Sequence, residues 1–178
     1  RLLGYCYMGP HADAHMKEFY TTERTVEVLL RCEKAGITVH QSSNRLDYFP
    51  LLREKGSRMK IITLLSDAES IKETIEVAKP IALVHHGGAT DRSFATGKSE
   101  VVHDFVRKVK DKGLLAGVSA HNPDNIKRIA DEGWEVDFFM TCFYYLTRPV
   151  NRDEPNPVLP VGAYNFYRDD PKRMTEVV

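Results

Sequence analysis

The sequence predicts an α/β protein with a parallel β/α barrel of the TIM type, of which it contains the first six strand-helix units. Short apolar runs alternate with amphipathic helical segments along the chain, as strand-helix repeats require. Each apolar run ends in polar, potentially reactive side chains. Because the strands of a parallel barrel are covered on both faces and carry their chemistry at their carboxyl ends, this pattern is typical of such a barrel.

Six strands are predicted, and we expect them to be parallel and to neighbour one another in sequence order, with right-handed crossovers. In chain order they are Leu2–Tyr7, Ile37–Gln41, Lys60–Leu65, Ile81–His85, Leu115–Ser119 and Phe138–Cys142.

Start and stop signals define the helices between these strands. Residues 66–69, Ser-Asp-Ala-Glu, form a predicted capping box. Asn122 followed by Pro123 predicts an N-cap with proline in the first helical position. Three predicted helices end at a glycine, namely Gly36, Gly113 and Gly133. The positions of these caps and glycines therefore agree with the helices that the spacing of apolar residues predicts.

The pattern changes after Tyr145. Residues 147–168 are rich in proline and lack an apolar period, which predicts a long loop within a single domain, residues 1–178. A further helix is predicted to begin at Asp169 or Asp170. Since a closed barrel needs eight strands, we expect the chain to be a fragment of a longer protein of about 250 residues or more. The alternatives are strands supplied by another copy or another chain, or an open sheet.

Composition excludes several classes of function. The chain has 25 basic and 25 acidic residues and a formal net charge of zero, so nothing favours a nucleic-acid partner. Apolar runs are too short for a membrane span, and no signal peptide is evident, which predicts a cytoplasmic protein. Three cysteines without a CxxC motif argue against a disulfide framework or a zinc knuckle.

Candidate functional residues stand at the predicted strand ends. His85 and His86 are adjacent on a strand and must point to opposite faces, and we expect His85 to be the inward, catalytic one. His121 is either functional or a helix-entry residue, and Asn122 is more readily a cap than a ligand. Ser119 either touches a ligand or fills the barrel interior. Cys142 is more readily a small core residue than a nucleophile, since the sequence offers no partner to activate it.

A divalent metal site is an alternative. His40, His85 and His121, each at or just after a strand end, could converge on one ion, with Asp91 as the nearest carboxylate. His11 and His15 are expected in a loop on the same side of the barrel.

Four segments in order resemble the aldo/keto reductase-like family, specifically its divergent bacterial members. They are AGITVHQSS for the second strand, LVHHGG for the fourth, GVSAHNP for the fifth and VDFFMTCFYYL for the sixth. The resemblance covers the chain to about Leu146. It implies a TIM barrel, a histidine that polarises a substrate carbonyl, and NADP held by Ser119, Asn122, Gln41 and Met140.

The chain departs from the family where proton transfer is performed. The family's aspartate falls at about Gln41, its lysine at Leu64 or Leu65, its nicotinamide-binding glutamine at Met140, and its tyrosine has no clear match at Leu46 or Tyr48. We therefore expect weak NADP binding or none.

Three hypotheses follow. The first is an aldo/keto reductase-like oxidoreductase of carbohydrate metabolism that acts on a small polar carbonyl or hydroxyl compound. The second is a metal-dependent barrel isomerase or lyase. The third is a non-enzymatic barrel remnant that serves as a binding module, and in any of these the chain could form a homo-oligomer.

Overall fold

The computed structural model describes residues 14, 18–43, 45–145, 148, 157–161 and 164–178. The predicted first strand, Leu2–Tyr7, and the segment with His11 and His15 lie outside the described residues. None of the helices in the described ranges is both long and apolar enough to cross a membrane.

Five parallel strands form one sheet, curled into half of a barrel, in the order in which they occur along the chain. They are β1 Val39–Ser42, β2 Lys60–Leu65, β3 Ala82–His85, β4 Leu115–Ala120 and β5 Phe138–Thr141. The α/β class and the sequential parallel order predicted for these strands are confirmed. They correspond to the second to sixth predicted strands, and because the first lies outside the described residues, the count of six strand-helix units stays a prediction.

Seven helices are described, most of them in the intervals between the strands. They are α1 Thr22–Lys34, α2 Phe49–Glu54, α3 Ile71–Ala78, α4 Gly87–Ala95, α5 Ser99–Lys110, α6 Pro123–Asp131 and α7 Asp170–Thr175. The Asn122 cap is confirmed, because its side chain accepts a hydrogen bond from the backbone N–H of Asp124. The predicted capping box is wrong, since α3 begins only at Ile71 and Asp67 instead accepts from Ser70.

Alternation along the strands divides the sheet into two faces. Leu65, Leu83 and Val118 lie on the face that packs against helix α5, where Phe105 and Val106 complete a fully buried cluster. Intervening residues, such as Val84 and Ser119, point to the opposite face, which we call the inner face. The helix-covered face therefore holds the main core and leaves the inner face for the site.

A carboxylate pins the amino-terminal edge of the sheet. Asp137, just before β5, accepts a hydrogen bond from the backbone N–H of Ala116 at 2.7 Å. The ammonium of Lys110, at the end of α5, donates to both oxygens of the same carboxylate at 2.8 and 2.9 Å. This contact joins β4, β5 and α5 at the end of the sheet opposite the candidate site.

Part of the predicted loop at residues 147–168 is instead a hairpin. Strands β6 Pro157–Val161 and β7 Tyr164–Tyr167 pair antiparallel, apart from the parallel sheet. Proline does not prevent this pairing, because a two-stranded ribbon has edges on both sides that need no N–H donor. Helix α7 follows at the predicted place, and its buried Asp170 accepts from Arg148 and from the backbone N–H of Tyr145.

Gly117 of strand β4 leaves room for the ring of Phe138 on the neighbouring strand β5. A Cβ atom at this position would lie 2.7 Å from the ring of Phe138 and 2.9 Å from a methyl group of Val84. Val84 is completely buried and has no room to retreat. The inner face is therefore close-packed at its centre.

We expect Gly117→Ala to lower the free energy of unfolding by about 1–3 kcal/mol, because the added methyl group overpacks this layer. Urea denaturation measures the change. Gly88→Ala is the matched control, since its Cβ would meet only the His86 ring at an ordinary 3.6 Å. Equal stability of the two variants would contradict the packing argument.

Candidate functional site

Asp91 organises the carboxyl ends of the strands. From helix α4, its carboxylate accepts hydrogen bonds from the backbone N–H groups of His121 and Asn122, at 3.1 and 3.3 Å. It also accepts from the His121 ring at Nδ1, at 2.8 Å, and from the Asn125 amide at 2.9 Å. Burial raises the pKa of Asp91, but the hydrogen bonds from His121, Asn125 and Asn122 outweigh it and hold the pKa below its ordinary value.

His121 is held as a cation by its neighbours. Its hydrogen bond with Asp91 and, second, the nearby side chain of Cys142 raise the pKa of His121 to about 9, against the opposing effect of burial. The imidazole is therefore protonated at neutral pH. A charged donor at the carboxyl end of a parallel strand can stabilise negative charge that develops on a substrate oxygen.

Helix α4 comes close to this histidine because it starts with glycine. A Cβ at Gly87 would lie 3.0 Å from the Ser119 hydroxyl and 3.1 Å from the His121 ring. Ser119 and His121 thus lie side by side on the inner face, under the first turn of α4. Because glycine disfavours helices, the sequence carries no strong signal for a helix that begins at Gly87 and Gly88.

Cys142 is the neighbour of His121 across the sheet. The last paired residues of β4 and β5 are Ala120 and Thr141, and His121 and Cys142 each follow by one position. The pairing of Ser119 with Met140 on the inner face places this next pair on the same side. The structure thereby gives Cys142 the partner that the sequence did not reveal.

Two hollows lie beside the side chains of Asp91, His121 and Cys142. A cleft of about 620 Å³ is lined by α4 and α6, with Asp91, Asn122, Arg128 and Tyr145 among its residues. A smaller pocket of about 220 Å³ is lined by Cys142, Phe143 and residues of the α7 segment. Small molecules therefore have space beside Asp91 and beside Cys142.

His85 does not face inward as the sequence analysis expected. Its register partners, Leu65 and Val118, belong to the helix-facing core, and its ring packs edge-on against Phe105 with 1% exposure. Nδ1 shares a hydrogen bond with the Thr90 hydroxyl at 2.8 Å. Within the described part of the chain, Nε2 is buried without a partner. Burial, with a smaller contribution from His86, lowers the pKa of His85 to about 4, so His85 is a neutral core residue.

His86 is the N-cap of helix α4. Its Nδ1 accepts a hydrogen bond from the backbone N–H of Gly88 at 3.2 Å. The side chain is half-buried at the carboxyl end of β3, so a catalytic role for His86 stays a prediction.

The three histidines of the metal hypothesis are engaged elsewhere. His40 bonds through Nε2 to the Tyr48 hydroxyl at 2.8 Å, His85 faces the helices, and His121 bonds to Asp91. Among the described residues, no group of three or more His, Cys, Asp or Glu is arranged to hold a metal ion.

The residues expected to hold NADP are only partly suitable. Gln41, Ser119 and Met140 share the inner face, but Ser119 is buried and the Asn122 side chain is occupied as a cap. Burial raises the pKa of Tyr48, the nearest tyrosine to the family's position, to about 12. NADP binding by these residues therefore stays a prediction.

Neither the models of known protein families nor the curated proteins compared with this sequence give a match.

We expect protonation of His85 to destabilise the fold in acid. Because its folded pKa of about 4 lies below the ordinary 6.5, the unfolded chain binds the proton first, and stability falls as the pH drops from 6.5 towards 4. The loss amounts to about 3 kcal/mol. His85→Asn, which can keep the bond to Thr90, should have a flatter dependence of unfolding free energy on pH in urea titrations. Parallel curves for the two proteins would show that His85 does not titrate as described.

We also expect the His121 ring to titrate near pH 9 and to return towards 6.5 in Asp91→Asn, because the carboxylate is the largest cause of the shift. NMR of the imidazole carbon-bound protons measures both values. Asp104→Asn, which removes a surface carboxylate on α5, is the control and should leave His121 unchanged. A midpoint near 6.5 in the unaltered protein would contradict the ion pair.

Proposed function

We propose that the curled sheet is part of a TIM-type barrel and that the protein is an enzyme acting on a small polar carbonyl or hydroxyl compound. The observation that supports this most directly is the Asp91–His121 ion pair at the carboxyl ends of parallel strands. Catalysis in parallel barrels occurs at this end of the sheet.

His121 is the proposed catalytic residue. Asp91 occupies Nδ1 at 2.8 Å, so Nε2 is the ring nitrogen that donates a proton or hydrogen bond to the substrate oxygen. Negative charge that develops on a carbonyl oxygen, during either reduction or enolisation, is stabilised by this cation. Asp91 is a positioning residue, because it fixes the ring orientation and maintains its charge.

An aldo/keto reductase-like activity is the oxidoreductase form of this proposal. A nicotinamide, when bound, would supply the hydride in that reaction, while His121 would take the role of carbonyl-polarising donor. The support for this form is the sequence resemblance, and the side chains at Gln41 and Met140 argue for weak cofactor binding.

The test uses a panel of small hydroxyaldehydes and hydroxyketones, including glycolaldehyde and dihydroxyacetone. Exchange of carbon-bound hydrogen in D2O, followed by NMR, reports proton transfer, and consumption of NADPH reports reduction. We expect His121→Gln to lower kcat/KM by about 100-fold or more, the usual effect of losing a general acid or base. Asp91→Asn should lower kcat and shift the pH profile to lower pH.

His103→Gln is the control variant, because His103 lies on α5 and stacks against Trp134. It should retain full activity. Undiminished turnover in a folded His121→Gln protein would overturn the proposal, and NADPH consumption without hydrogen exchange would favour the reductase form.

A further inference from the structure

Cys142, His121 and Asp91 form a group of three side chains that includes a nucleophile as well as a proton donor. Its side chain is the second largest cause of the raised pKa of His121, after Asp91. Independently of any charge argument, each of the two residues directly follows the last paired position of its strand, Ala120 of β4 and Thr141 of β5. A thiol, an imidazole and a carboxylate therefore follow one another in this order.

This order is the one that activates cysteine nucleophiles. A histidine beside the thiol accepts its proton, and a carboxylate on the far ring nitrogen orients the imidazole and stabilises its charge. Here Asp91 holds Nδ1, and its remaining oxygen is fixed by Asn122 and Asn125. The imidazole is thus locked before any ligand arrives.

The pocket beside the thiol suits a small ligand. Cys142 is half-buried and lines the 220 Å³ pocket with Thr141, Phe143, Met174 and Thr175. Its walls are largely apolar.

We propose that Cys142 is a nucleophile that adds reversibly to the carbonyl carbon of small polar aldehydes. The choice of aldehyde rests on the proposed function, whereas the pairing of Cys142 with His121 does not. The sulfur forms a bond to the carbonyl carbon as the C–O π bond opens. His121, which is already protonated, delivers its Nε2 proton to the oxygen and takes up the thiol proton in its place, so that its own charge is unchanged. The product is a thiohemiacetal, and nothing is oxidised, reduced or released.

The first experiment measures alkylation of the intact protein by iodoacetamide at neutral pH, with peptide mass spectrometry to assign each cysteine. Cys32, half-buried on α1, is the internal control. We expect Cys142 to react at least about tenfold faster than Cys32, as activated thiols do. His121→Gln and Asp91→Asn should each slow Cys142 by a similar factor and leave Cys32 unchanged.

The second experiment adds glycolaldehyde before iodoacetamide. Protection of Cys142, with no protection of Cys32, is expected. Equal reactivity of the two cysteines, or reactivity of Cys142 that is unaffected in both folded variants, would overturn the activated pair. Rapid alkylation without protection by the aldehyde would overturn the addition step.

These outcomes are distinguishable from those of the proposed function, because alkylation requires no turnover. Slow alkylation of Cys142 in a protein with His121-dependent turnover refutes this inference alone. Loss of both activities in His121→Gln, with Cys142→Ser losing aldehyde turnover as well, supports both.

Discussion

The arrangement of residues at the carboxyl ends of the strands depends on the hydrogen bonds of the Asp91 carboxylate. It is tied to the end of β4 through the backbone and ring of His121, and to α6 through Asn122 and Asn125. A partly buried carboxylate is costly unless its lone pairs are satisfied, and here they are. One side chain thereby connects helix α4 to the neighbouring strand-helix unit and sets the charge of the imidazole. The same carboxylate therefore both holds these elements together and keeps His121 charged.

Much of the parallel sheet could be predicted from sequence because local signals sufficed. The strands β2 to β5 coincide within about two residues with apolar runs, and Asn122-Pro123 marked the start of α6. Alternation alone could not assign the faces of β3, because all four of its residues are buried. The prediction that His85 points inward was therefore wrong. A shift of one residue along a strand moves a side chain to the opposite face of the sheet.

The candidate site was predictable in its location but not in its contacts. His121 follows a strand and Asp91 follows another, yet thirty positions separate them in sequence. Their pairing depends on how closely α4 approaches β4, and that distance is set by the missing side chain at Gly87. Long-range distances of this kind leave no periodic signal. Asp91 was noted as a possible metal ligand, and its real partner emerged only from the fold.

The clasp formed by Asp137, Ala116 and Lys110 has an evolutionary implication. It secures β4, β5 and α5 at the edge farthest from the reactive residues. This stabilising contact and the residues proposed to react thus lie at opposite ends of the same sheet. None of the three residues lines either pocket, so side chains around the pockets can change without removing a partner of this contact.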